Sequence, residues 1–153
     1  MGCDIHMHVE YNMNGKWMCG DYFSLDSIST LDNPKFNVVG FYSNRNYSLF
    51  AVLADVRNSD CVEYIDTPRG LPDDAHEFTK SCYDAWSLDA HSCSYFTLKE
   101  LIDFDDEILD PIIEKLKVRA DELNLIYDFT WEYNYNKAYE SSDNIRIVFW
   151  FDN

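Results

Sequence analysis

The stretch Cys3-Asp4-Ile5-His6-Met7-His8-Val9-Glu10-Tyr11 alternates apolar and polar side chains without a break. A period of two is the signature of a β-strand, with one face against a core and the other turned away from it. Cys3, Ile5, Met7 and Val9 form the apolar face; Asp4, His6, His8 and Glu10 form the other. The next residues, Asn12-Met13-Asn14-Gly15, read as a hairpin turn, because Asn-Gly accepts positive φ. Trp17-Met18-Cys19 then returns as a second strand.

The remaining elements follow from spacing and punctuation. Residues 20–35 are polar and irregular and end at Asn33-Pro34, and residues 36–41 form a short strand. Apolar residues at 49, 50, 53 and 56 predict a buried helix over 47–56. Cys61 to Ile65 reads as a short strand, and Pro68 to Pro72 as a loop. Asp74 with Glu77 predicts a capping box opening a helix to about Trp86. Residues 87–92 are a polar loop. Thr97 with Glu100 predicts a second capping box, and Asp110-Pro111 a helix whose buried face is Ile112, Ile113, Leu116, Ala120 and Leu123. The aromatic-rich runs Ile126–Tyr135 and Ile145–Phe151, joined by polar residues, predict a C-terminal hairpin. With 153 residues, 46% of them apolar, and no repeat or linker, the expectation is a single α+β domain over residues 1–153. Its antiparallel sheet carries helices packed on one face.

The polar face of the first strand collects almost every kind of metal ligand. Residues two apart share a face, so Asp4 and His6 project together, with His8 beyond. A metal site needs further ligands from elsewhere. Ser87 to Ser94 supplies Asp89, His91 and Cys93, so Asp-x-His occurs twice, and three of the four histidines lie in these two clusters. The expected site is Asp4, His6, Asp89 and His91, a nitrogen and oxygen set suited to zinc, with manganese or iron as alternatives. His8 and Cys93 are reserve ligands, whereas the alternation turns Cys3 toward the core. The same residues also fit a solvated strand face, a hydrogen-bonded histidine and small core thiols. With an open metal position, bound water becomes a nucleophile, Glu10 or Asp74 a base, and Arg45, Arg57 or Arg69 a substrate cation. No phosphate loop, nucleophile elbow or dinucleotide fingerprint is present.

Charge narrows the partners. Twenty-eight acidic residues against 12 basic ones give −16. Such a chain repels nucleic acid directly and is drawn to basic grooves on other proteins. Acidic candidates for a docking face are Asp103, Asp105, Asp106, Glu107 and Asp110, with Glu132, Glu140 and Asp143. The five cysteines, an odd number, and the lack of an apolar leader predict a reducing cytosol with free or metal-bound thiols. No stretch approaches the ~18 apolar residues of a membrane-spanning helix.

Four blocks of sequence resemble those of a small protein family common in bacteriophages and prophages and mostly without assigned function. They are Met1-Gly2-Cys3-Asp4-Ile5-His6, residues 46–58 from Asn46-Tyr47 to Arg57-Asn58, Pro68 to Asp74, and residues 89–98 from Asp89-Ala90-His91-Ser92 to Thr97-Leu98. The likeness covers residues 1–101. It places Asp4, His6, Asp89 and His91 within the family's blocks and His8 and Cys93 at variable positions. The acidic, Tyr- and Asn-rich chain is also similar to type II anti-CRISPR proteins. That resemblance implies a zinc-containing inhibitor, acting in the host cytoplasm, that binds a type II CRISPR effector nuclease and blocks target-DNA loading. The competing expectations are a small metal-dependent hydrolase or phosphodiesterase acting on a nucleotide or phosphorylated substrate, and a metal-stabilised interaction module with another partner.

Overall fold

The computed structural model describes residues 2–123 and 141–153. It is an α+β domain built on a four-stranded antiparallel sheet of order β2-β1-β6-β5. The strands are β1 (Asp4–Met13), β2 (Lys16–Cys19), β5 (His91–Thr97) and β6 (Ile145–Asp152). A separate two-stranded ribbon pairs β3 (Tyr22–Leu25) with β4 (Phe36–Val39). The described helices are α1 (Tyr47–Ala54), α2 (Glu77–Ala85), α3 (Leu98–Phe104) and α4 (Asp110–Glu122).

The N-terminal strand forms as its alternation requires. Cys3, Ile5, Met7 and Val9 are buried in one apolar cluster with Phe50, Leu53, Leu101, Ile112, Leu116, Phe149 and Phe151. The hairpin turn is real: Asn14 and Gly15 have φ of 54° and 84°, and Gly15 N donates to Asn12 Oδ1. Asn46 caps α1, and Thr97 with Glu100 forms the expected capping box on α3.

Three expectations give way to tertiary contacts. The run Ile145–Phe151 is not one arm of a C-terminal hairpin. It is the central strand, paired with β1 along its whole length and with β5 on its other edge, so both edges are taken. Its hydrophobicity on both faces reflects that central place. Residues 126–135, the other expected arm, lie outside the described residues, as do Glu132 and Glu140. Residues 61–65 form no strand; Ile65 N donates instead to Val52 O at the end of α1. Asp74 does not cap α2, because Arg146 takes its carboxylate at 3.0 Å, and His76 Nδ1 accepts from Phe78 N as the N-cap.

The two faces of the sheet are covered differently. The apolar cluster joins α1, α3 and α4 to one face. α2 lies across the other, held by Glu10. One oxygen of Glu10 accepts from Arg146 Nε (2.9 Å) and Nη2 (2.8 Å). The other accepts from His76 N (2.6 Å) and Thr79 Oγ1 (2.8 Å). Arg146 itself lies over the Trp17 ring at 3.9 Å. Both charges are buried. Removing one partner strands the other, so Arg146→Met is expected to destabilise the fold by about 3–5 kcal/mol in urea denaturation. Exchanging both residues, Glu10→Leu with Arg146→Met, is expected to cost less than the single change.

Candidate functional site: twin histidine–aspartate pairs in a cleft at the sheet edge

β2 pairs with β1 only over Glu10–Met13, so among the described residues no strand pairs with residues 4–8 on that edge of the main sheet. A cleft of about 520 Å³ runs along that edge. Its walls are β1, the C-terminal end of α2 with Cys82 and Trp86, and the segment after β4 with Gly40, Tyr42 and Ser43. His6 and His8, two apart on β1, both line it.

Each imidazole is held by a carboxylate. His6 Nε2 is 2.8 Å from Asp152 Oδ2, across the strand pair with β6. His8 Nδ1 is 2.8 Å from Asp21 Oδ2, and Asp21 Oδ1 accepts from Val9 N at 2.7 Å. An ionised carboxylate only accepts, so in a neutral ring the bonded nitrogen carries the proton. Nδ1 of His6 and Nε2 of His8 are then the basic nitrogens. Neither has a hydrogen-bond partner among the described residues. The rings are also fixed by indoles. His8 stacks on Trp150 at 5.0 Å, and His6 lies 5.9 Å from Trp150 and 4.2 Å from Trp86. Trp150 is fully buried, whereas Trp86 is 39% exposed at the cleft wall.

The four expected ligands do not converge. Asp4 is gripped by Arg45, with Nε to Oδ1 at 2.6 Å and Nη2 to Oδ2 at 2.9 Å, and this guanidinium holds its carboxyl below the ordinary range. His6 uses Asp152. Asp89 is exposed in the turn after α2, where its N–H donates to Trp86 O. His91 pairs in register with Phe151, which pairs with Ile5, so it shares their face of the sheet and not that of His6. Its ring lies 6.0 Å from Phe151, and its Nδ1 is 3.1 Å from Ser92 Oγ. Among the described residues no group of three or more His, Cys, Asp or Glu is placed to hold a metal ion.

The other nominated side chains have structural roles. Cys3 is in the core, as the alternation requires, and burial pushes the Cys93 thiol up to about 12. Glu10 has both oxygens occupied by donors and is no free base. Arg69 binds Asp66 and Glu100 and lies over Phe96. Asp21 and Asp152 were missed by sequence reasoning. They sit 13 and 146 residues from the histidines they hold, and no local spacing announces such a pair.

A second, larger cavity of about 680 Å³ lies between α1, the loop at 57–62 and the start of α4. None of its described lining residues carries an imidazole. Asp60, Asp106, Glu107 and Asp110 are among its lining residues.

Because His6 and His91 occupy opposite faces, one ion cannot bridge them while the sheet is intact. Elemental analysis of the wild type beside His6→Ala and His91→Ala is expected to show no zinc, manganese or iron that both substitutions remove.

No protein-family model, curated protein or solved structure matches the chain.

Proposed function

We propose that the chain is a small hydrolase of phosphorylated or nucleotide substrates, with acid–base chemistry supplied by His6 and His8. The observation that carries this reading is the pair of carboxylate-held imidazoles, side by side on β1 and lining one cleft. One neutral imidazole takes a proton from the attacking water through its unprotonated nitrogen. The other, as imidazolium, gives a proton to the leaving oxygen. Asp21 and Asp152 fix the rings and stabilise the positive charge that forms on them. The half-exposed Trp86 ring offers a stacking face for a base.

The charge of the cleft selects among phosphate esters. Asp4, tied to Arg45, and Asp152 both line it. A phosphodiester, with one negative charge, fits better than a doubly charged monoester. Bis(p-nitrophenyl) phosphate and cyclic mononucleotides are the first substrates to assay. The expected result is a loss of about 10²–10⁴-fold in kcat in His6→Ala or His8→Ala with unchanged circular dichroism. Wild-type turnover that survives both substitutions, or no turnover at all, would refute the reading.

The acidic surface favours a second reading: an inhibitor that binds a type II RNA-guided nuclease by protein contact. Its support is the net charge of −16 and the exposed Asp103, Asp105, Glu107 and Asp110, running from the last turn of α3 to the first residue of α4, the last two lining the larger cavity. Such a nuclease holds its nucleic acids in positively charged channels, which this surface complements. In a DNA-cleavage assay the wild type is expected to inhibit, and Asp105→Asn/Glu107→Gln/Asp110→Asn to inhibit at least tenfold less well. His8→Ala should inhibit like the wild type. A nuclease indifferent to the wild-type protein would sink this reading and leave the cleft untouched.

A further inference from the structure

Two caps close the edge of β1 on the β2 side, and two residues between them are left without partners. At one end Val9 O accepts from Gly20 N at 2.8 Å and Val9 N donates to Asp21 Oδ1 at 2.7 Å. At the other, Cys3 N donates to Tyr47 Oη at 3.4 Å. Alternate residues of a paired strand turn their N–H and C=O toward the same edge, so Ile5 and Met7 point theirs as Val9 does. Among the described residues, no strand or side chain takes those groups.

Ile5 and Met7 both line the cleft, although their side chains belong to the apolar core. What they present to it is therefore backbone. The two residues are only 3% and 2% exposed, so water reaches these groups poorly. Backbone donors and acceptors buried to that degree are almost always paired. The N–H and C=O groups of the two residues, about 7 Å apart along the strand, thus require a partner from the cleft.

The hydrogen-bond pattern identifies that partner. Alternating donors and acceptors on an extended strand are matched by another extended peptide, which adds to the sheet through its own backbone. A sugar–phosphate backbone has no row of donors to match the carbonyls, and a chain of net charge −16 repels it. A peptide laid along Ile5 and Met7 runs past His6, and facing residues of neighbouring strands stand about 5 Å apart at Cβ. One of its side chains then lies beside the His6 imidazole, whose ring is 4.2 Å from that of Trp86.

We propose that the cleft binds an extended peptide as a strand added to β1, and that the substrate is a phosphodiester borne on a side-chain hydroxyl of that peptide, such as a nucleotidylated tyrosine. The chemistry rests on the hydrolase reading above. Water attacks phosphorus and gives its proton to one imidazole. The P–O bond to the tyrosyl oxygen breaks, and the other ring, as imidazolium, protonates that oxygen. The products are a nucleoside monophosphate and the unmodified peptide.

The probe is a heptapeptide of alternating valine and threonine with a central tyrosine esterified to adenosine monophosphate. Its kcat/KM is expected to exceed at least tenfold that of the same ester on N-acetyltyrosine amide. Methylating the backbone nitrogens on one alternate set of residues should erase the gain, and on the other set should keep it. The unesterified peptide should move the amide-proton resonances of Ile5 and Met7 downfield. Unmoved resonances at millimolar peptide, or two methylated peptides as good as the parent, would overturn the proposal whatever the turnover of simple diesters. Shifted resonances with no turnover of any ester would instead refute the hydrolase reading, and with it the assignment of the substrate.

Discussion

Glu10 brings a negative charge into the interior, and the arrangement of the polar side of the sheet depends on how that charge is satisfied. A buried carboxylate is tolerable only with an opposite charge beside it and donors on its remaining lone pairs. Arg146 supplies the charge from the central strand, and His76 N and Thr79 Oγ1 supply donors from the start of α2. The same guanidinium reaches Asp74 and lies against Trp17. One cluster therefore ties β1, β2, β6 and α2 together, and it fixes which end of α2 sits over which end of the sheet.

The cleft follows from that anchorage. With its N-terminus pinned over Glu10, α2 runs along the sheet, bringing Phe78 beside His8, Tyr83 against Trp150 and Trp86 beside His6. Strand β2 ends its pairing at Glu10, so among the described residues no strand takes the edge of β1 under this helix. Asp21 then turns back from the end of β2 and binds both Val9 N and His8. Arg119 of α4 clamps the Gly20 and Asp21 carbonyls at 2.7 and 3.0 Å, holding that carboxylate in place. The histidines are thus oriented by groups from three separate parts of the chain.

Elements set by local rules were legible in the sequence. The period-two pattern of residues 3–11, the Asn-Gly turn, the Thr97–Glu100 capping box and the apolar face of α4 each encode a short-range preference, and each appears where the pattern places it. Elements set by competition were not. Asp74 is as good a helix cap as any, but a guanidinium attracts its carboxylate more strongly than an uncharged backbone N–H. Phe36–Val39 reads as a strand, yet its partner Tyr22–Leu25 sits in a stretch too polar to declare itself. At the candidate site, the histidines were visible because they are rare and clustered. Their carboxylate partners, Asp21 and Asp152, were two among 28 acidic residues.

The sequence by itself determined that the chain begins as a strand with one apolar face, that it folds as a mixed α+β domain, and that His6 and His8 share the strand's other face. Those properties follow from the period-two pattern, from helical spacing and capping signals over a few residues, and from composition. Only the tertiary structure decided that Ile145–Asp152 is central, that α2 covers the polar face, and that His91 belongs to the opposite side from His6. The reason is that hydrogen bonding across a sheet is indifferent to separation along the chain. Which strand lies next to which, and so which side chains share a face, is settled by burial of whole faces and by the pairing of Glu10 with Arg146, 136 residues away.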